Sequence, residues 1–283
     1  MKWLIYGTTG WIGKQFLNYI NKNINIIKGQ SRFENFNDIK EEIEKHNPDR
    51  VIILGGLTYK QPATNIDWCE DNKQEVIRVN VMGILNIADI CERMNIHCTI
   101  LGTGCIYTYS CLKGCIINED YFEEFNEDCM WNFDKSFYSK TKAYVQELLK
   151  CYNNTLLLRI RMPINNSDDP KNFITKLKSF NKIISIPNSM TVLPELIPVM
   201  IKLIEEQEVG TWNIVNPGTI SHKEIMDMCN IEKEYVSITE QSKLTRVARS
   251  NNCLSTDKLM NFVNKHNLHV NDIHTAVKNI IEN

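Results

Sequence analysis

Three glycines spaced three apart, Gly7-Thr8-Thr9-Gly10-Trp11-Ile12-Gly13, stand where an apolar run, Lys2 to Tyr6, gives way to an amphipathic one beginning at Trp11. Glycines at a strand-to-helix join permit the tight turn, let the backbone approach a pyrophosphate and allow helix and strand to pack closely. The helix start adds N–H groups and the positive end of a dipole. Thr9, Trp11 and Ile12 fall inside the same turn. The same alternation continues downstream, which predicts a parallel sheet wrapped by helices. Strands are expected at Lys2 to Tyr6, Ile24 to Lys28, Arg50 to Leu54, Cys98 to Leu101, Thr155 to Ile160, Ile183 to Ile186 and Thr211 to Val215. Helices are expected at Trp11 to Asn21, Asn37 to Lys45, Asp71 to Met94, Tyr138 to Lys150, Phe173 to Phe180, after Pro194, and over Ser255 to Asn264 and Val270 to Ile281. No repeat or low-complexity linker interrupts the pattern.

At 283 residues, 43% hydrophobic and 23% charged, the chain can bury a sizeable core without disulfides or metals. Its 32 basic and 34 acidic side chains give a net charge of −2, which argues against bulk electrostatic binding of nucleic acid. The opening residues hold too short an apolar run for an export signal, and no window reaches the ~18 apolar residues of a membrane span. A cytoplasmic protein is therefore expected, its ten scattered cysteines as free thiols. Cys111 and Cys115 have the wrong separation for a zinc knuckle, and His266, His269 and His274 lack ligand order, so no metal is expected.

Tyr138-Ser139-Lys140-Thr141-Lys142 places Tyr138 and Lys142 four apart, on one helix face. An ammonium beside a phenol lowers the phenol's pKa, so it can exchange a proton with a carbonyl oxygen as hydride moves. The GxxGxxG spacing together with this pair resembles the extended short-chain dehydrogenases/reductases. That resemblance implies a third triad member, Thr103, at the end of Thr99-Ile100-Leu101-Gly102-Thr103. It also implies a site-organising asparagine, Asn80, and a lysine that holds the nicotinamide ribose. Gly55, Gly56 and Leu57, after the third strand, join the cofactor set. The second strand ends in Lys28-Gly29-Gln30-Ser31-Arg32, without the acid that binds an adenosine ribose in NAD enzymes. Ser31 and Arg32 can instead meet a 2′-phosphate, which favours NADPH, while Glu34 keeps NADH open.

The chain further resembles the nucleotide-rhamnose synthase/epimerase-reductases of plants and giant viruses over nearly its whole length. The shared segments include Asn65 to Glu70, Thr103-Gly104-Cys105-Ile106-Tyr107, Phe137 to Lys142, Arg159 to Ile164, Asn172-Phe173-Ile174-Thr175-Lys176, Ile186 to Thr191 and Arg249-Ser250-Asn251-Asn252; the stretch from Cys111 to Asp134 departs most. The resemblance implies Cys105 and Lys176 as the acid/base pair for epimerisation. Protons beside a 4-ketone are acidic, and inversion needs removal on one face and return on the other. Thr103 and Tyr138 would steady the enolate. A base role requires Lys176 to be partly neutral, through burial or a nearby cation. GDP-fucose synthase uses histidine as base, but no histidine occurs between His97 and His222. For the substrate, Arg249 is a candidate pyrophosphate clamp, and Asn172, Met190, Leu193 and Asn252 are candidate contacts.

The expectation is an α/β, doubly wound, Rossmann-like sheet with a smaller C-terminal substrate lobe, divided as residues 1–162 for NADPH, helped by a returning strand near 211–216, and 163–283 for substrate. The implied activity is UDP-4-keto-6-deoxy-D-glucose 3,5-epimerisation and 4-reduction to UDP-L-rhamnose. Alternatives are a dTDP or GDP sugar, a reductase without epimerase activity, or a dinucleotide-binding regulatory subunit like that of methionine adenosyltransferase. An upstream 4,6-dehydratase is the expected pathway partner, and a homodimer stays open.

Overall fold

Short apolar strands and amphipathic helices alternate as expected in the computed structural model, which describes residues 1–110 and 123–282. The first stretch runs β1 (Lys2–Tyr6), α1 (Trp11–Tyr19), β2 (Asn25–Lys28), α2 (Phe36–His46), β3 (Arg50–Ile53), α3 (Lys73–Ile77), α4 (Ile84–Arg93), β4 (His97–Thr103) and β5 (Glu124–Phe125). It continues with α5 (Phe137–Leu149), β6 (Thr155–Ile160), α6 (Phe173–Ser179), β7 (Lys182–Ile183), α7 (Leu193–Glu205) and β8 (Gly210–Asn213). The last stretch is α8 (His222–Met228), β9 (Glu234–Tyr235), α9 (Ile238–Leu244), β10 (Cys253–Leu254), α10 (Asp257–Lys265) and α11 (Ile273–Glu282). Cys111 and Cys115 lie outside the described residues; the described cysteines are free thiols. No described helix is long and apolar enough to cross a membrane.

Six strands form one sheet in the order β2-β1-β3-β4-β6-β8, with parallel pairing of β1 to β2, β1 to β3 and β3 to β4. The chain leaves β1 for β2 on one side and returns to β3 on the other, so the switch point lies between β1 and β3, where open α/β sheets bind ligands. Tyr6 stands opposite Ile53, so the two strands end level. Leu4, Tyr6, Val51, Ile53, Cys98, Ile100 and Leu157 share a core with Ile39 and Ile43 of α2, Ile84 and Ile87 of α4, and Val145 and Leu149 of α5. Their strand neighbours Trp3, Ile5 and Ile52, which point to the opposite face, are fully buried as well. Burial on both faces is why these strands read as continuous apolar runs.

The chain resolves into two compact units, and a single cut near residue 162 does not describe them. The first comprises Met1–Thr103, Asp134–Leu158 and Met200–Trp212, and the second Gly104–Phe133, Arg159–Val199 and Asn213–Asn283. The second unit has its own core of Ile164, Ile174, Leu177, Met190, Val192, Ile220, Ile225, Ile273 and Val277. The single helix expected over Asp71 to Met94 is broken: α3 and α4 flank a π-helical stretch, Arg78–Gly83, that carries Asn80. Two helices not expected from periodicity, α8 and α9, each start with a capping box, Ser221 with Glu224 and Ser237 with Glu240.

Candidate active site

The turn after β1 explains two of its three glycines by space. Gly7 adopts φ +82°, and a Cβ there would stand 2.5 Å from the Gly55 nitrogen; a Cβ on Gly13 would stand 2.2 Å from the Gly7 oxygen. Neither position can carry a side chain. At Gly10 an added Cβ meets only the Gly7 oxygen, at 3.3 Å. Gly10 also caps α1 without a side-chain hydrogen bond, a helix start suited to an anion from outside the chain. Thr9 is exposed, Trp11 and Ile12 half-buried.

Ser31 and Arg32 leave β2 in a turn fixed by Glu42 of α2, whose carboxylate accepts the N–H groups of Gln30 (2.8 Å) and Ser31 (3.0 Å). Burial works to raise the Glu42 pKa, but these hydrogen bonds outweigh it and hold the carboxyl below its usual range. Arg32 and Glu34 are exposed, and among the described residues no carboxylate pairs with Arg32.

Across the switch point, Asn80 is fully buried. Its Oδ1 accepts the Leu57 N–H at 2.8 Å and its Nδ2 donates to the Leu57 carbonyl at 2.7 Å. The π stretch thus aims one amide at both backbone groups of Leu57, the last residue of the loop Gly55-Gly56-Leu57. Distortions of this kind recur at functional sites.

Ser136 starts α5 by accepting the Ser139 N–H, and the helix then presents Tyr138, Lys142 and Gln146 along one face. Gln146 Nε2 donates to the Thr103 carbonyl at 2.9 Å, tying the end of β4 to the helix that carries the tyrosine and lysine. Tyr138 is half-buried and Thr103 buried. Lys142 is only 6% exposed, and its Nζ lies 3.4 Å from where a Gly56 Cβ would sit. Among the described residues its ammonium has no hydrogen bond or ion pair. Burial pushes its pKa from 10.5 down to about 8 against an opposing effect of Cys69, whose thiol burial pushes up to about 12. A buried ammonium without acceptors is costly in isolation, so this group fits the hydroxyls of a bound dinucleotide.

In the second unit, Cys105 is half-buried. Asn252 holds its loop, with Nδ2 donating to the carbonyls of Gly104 and Tyr107, each at 2.9 Å. Arg161 Nη1 donates to Cys105 Sγ at 3.4 Å. Lys176, on α6, is half-buried, and no hydrogen bond or ion pair to its ammonium occurs among the described residues. Burial and then Lys171 lower its pKa, against Asp169, which is the direction a base needs. Arg249 is half-buried on the segment before Ser250.

Four expected substrate contacts are placed differently. The Asn172 side chain caps α6, accepting the Ile174 N–H, and donates to the Asn165 and Ser167 carbonyls, so its amide is already engaged. Asn252 is fully buried with its donors on backbone oxygens. Met190 and Leu193 have no exposed surface, Met190 as part of the second unit's core. These residues shape the segments that carry the other candidate groups. Gln146, Glu42 and Arg161 had no local signal: each acts through a partner far off in sequence.

The profile of the family described as NAD dependent epimerase/dehydratase matches residues 3–162. A trifunctional UDP-glucose 4,6-dehydratase/UDP-4-keto-6-deoxy-D-glucose 3,5-epimerase/UDP-4-keto-L-rhamnose-reductase of Arabidopsis thaliana is 41% identical over 272 residues, covering 92% of this chain and 39% of the plant protein. The chain thus spans about two fifths of the length of such trifunctional relatives. A bifunctional dTDP-4-dehydrorhamnose 3,5-epimerase/dTDP-4-dehydrorhamnose reductase of the same plant is 40% identical over 264 residues, covering 90% of this chain and 85% of that protein. The crystal structure of a UDP-rhamnose synthase from Acanthamoeba polyphaga mimivirus superposes with a TM-score of 0.91 at 36% identity, covering 99% of this chain and 98% of that one. The resemblance read from the motifs, and the Rossmann-like class, are borne out.

Proposed function

The chain belongs to the NAD dependent epimerase/dehydratase family, and from that premise we propose that it is a bifunctional epimerase/reductase. It inverts carbons 3 and 5 of UDP-4-keto-6-deoxy-D-glucose and reduces carbon 4, giving UDP-L-rhamnose, with NADPH as cofactor. The observation that carries the epimerase half is Lys176, a half-buried ammonium without a partner among the described residues and held below its ordinary pKa. A plain reductase has no use for such a base.

NADPH, when bound, supplies the hydride for carbon 4. The Gly7 to Gly13 turn and the start of α1 take its pyrophosphate, Arg32 its 2′-phosphate and Lys142 its nicotinamide ribose. Lys176 takes the proton from a carbon beside the ketone and Cys105 returns one to the opposite face, their roles free to exchange between the two carbons. Thr103 and Tyr138 donate to the ketone oxygen while it carries enolate charge. Tyr138 then passes its proton to that oxygen as carbon 4 is reduced, with the Lys142 ammonium favouring the phenolate left behind. Arg249 clamps the substrate pyrophosphate. The substrate is a product of 4,6-dehydration, an activity that the trifunctional plant relatives carry in their names.

Two variants test the division of labour. Cys105→Ala abolishes exchange of ring protons with solvent at one or both of carbons 3 and 5 while NADPH still binds, and Tyr138→Phe mainly damages NADPH oxidation. A Cys105→Ala protein that epimerises at the parent rate overturns the thiol's role. The second reading, a dTDP-linked sugar as substrate, is favoured by the bifunctional plant relative, and competition between the two nucleotide sugars decides it.

A further inference from the structure

Arg161 is 1% exposed, and among the described residues no carboxylate pairs with it. Its Nη1 donates to Cys105 Sγ at 3.4 Å and to Ser250 Oγ at 3.0 Å, and its Nη2 to the Ser250 carbonyl at 2.7 Å and to Asn188 Oδ1. Every acceptor is neutral except where the thiol ionises. Buried charges are ordinarily paired, because an unpaired one loses its hydration without return. The groups around it that could supply a negative charge are Cys105, Tyr109 and Cys253. Burial pushes the Tyr109 phenol up and the Cys253 thiol up to about 12, so both stay protonated near neutral pH. Glu124 reaches Cys253 Sγ, at 3.8 Å. His222, also close, is held neutral: burial and then Arg161 push its pKa down to about 4. Among the described residues that leaves Cys105 as the candidate counter-ion.

We propose that Arg161 is a positioning residue that acts as the fixed counter-ion of the Cys105 thiolate. Its guanidinium holds the sulfur in place and favours the anion each time the thiol gives up its proton. The role in epimerisation rests on the proposed function of Cys105. There, the S–H bond breaks as a C–H bond forms on the enolate carbon, leaving the sulfur negative beside Nη1. Lys176 meanwhile carries the proton taken from the other face, and exchange with water restores both groups. Through Nη2, Asn188 Oδ1 and the Ser250 carbonyl anchor the guanidinium apart from the sulfur, which keeps the charge in place.

The test separates charge from fork. Arg161→Gln keeps a donor but loses the charge; Arg161→Lys keeps the charge but loses the fork. Cys105 alkylation by iodoacetamide, followed by mass spectrometry of its peptide, drops about tenfold in rate at neutral pH in Arg161→Gln and stays near the parent in Arg161→Lys. Exchange of ring protons slows about tenfold or more in Arg161→Gln and is largely kept in Arg161→Lys. An unchanged alkylation rate in folded Arg161→Gln overturns the pairing, even if activity falls. Should Arg161→Gln not fold, the comparison of Cys105→Asp with Cys105→Asn replaces it. A carboxylate that meets a waiting guanidinium melts at or above the amide, whereas a carboxylate that melts well below it refutes the proposal. The alkylation and melting readouts are independent of turnover, so loss of the thiol's role in epimerisation is seen separately, as retained ring exchange in Cys105→Ala.

Discussion

Replacing Lys142 with Met should stabilise the ligand-free protein while removing its activity. The native Lys142 has a pKa of about 8 instead of 10.5, with burial as the main cause, so the folded state binds its proton less tightly than the unfolded chain does. Below about pH 8 both states are protonated and the full penalty is present. It shrinks as pH rises from about 8 to about 10.5 and is gone above, where both states are neutral. At ~1.4 kcal/mol for each pH unit between the two pKa values, the penalty at pH 7 is roughly 3 kcal/mol. Met fills a similar volume and carries no charge, so Lys142→Met recovers most of it, raising Tm by roughly 5 °C for a chain of this size. Differential scanning calorimetry of both proteins, stripped of nucleotide, is the assay at pH 7 and again near pH 10. The gain should be present at the first and reduced to roughly a quarter at the second, and saturating NADPH should reverse it, since only the parent ammonium gains ribose partners. A variant that melts lower than the parent at pH 7, or one whose advantage persists unchanged at pH 10, would show that the ammonium is not held unpaired.

Two further expectations follow from the cofactor side. Asn80→Ala removes both hydrogen bonds to Leu57; it should cost about 1–3 kcal/mol in denaturant unfolding and weaken NADPH binding without touching Tyr138 or Lys142, and undiminished affinity would refute the loop's role. Arg32→Ala should raise the Kd for NADPH by roughly 10-fold or more, the worth of a charge-assisted contact to phosphate, and leave that for NADH unchanged; equal losses for the two in fluorescence titrations would remove Arg32 from the 2′-phosphate.

Much of this was legible from sequence because the decisive constraints are local. Gly7 and Gly13 announce a turn in which an added Cβ would stand 2.5 and 2.2 Å from neighbouring backbone atoms. The 3.6-residue period likewise put Tyr138 and Lys142 on one face. What escaped depends on contacts between distant segments. Periodicity over Asp71 to Met94 cannot reveal a π stretch organised around a loop 23 residues earlier. Helices α8 and α9 are seven residues each, too short for a period to emerge, although Ser221-x-x-Glu224 and Ser237-x-x-Glu240 were visible as caps. Shared motifs carried Asn172, Asn252 and Met190 into the candidate site, with Leu193 close by, but a motif transfers position and not exposure, and all four are buried. Arg161 sat inside a shared segment, Arg159 to Ile164, with nothing in its neighbours to show a buried guanidinium reaching a thiol 56 residues away.

Turnover in heavy water reads both halves of the proposed reaction at once. The protein is incubated with UDP-4-keto-6-deoxy-D-glucose and NADPH in deuterium oxide while cofactor oxidation is followed and the product's label is located by NMR. NADPH oxidation with deuterium at carbons 3 and 5 is the expected result. Oxidation without label at either carbon would reduce the protein to a ketoreductase and contradict the epimerase assignment of Cys105 and Lys176.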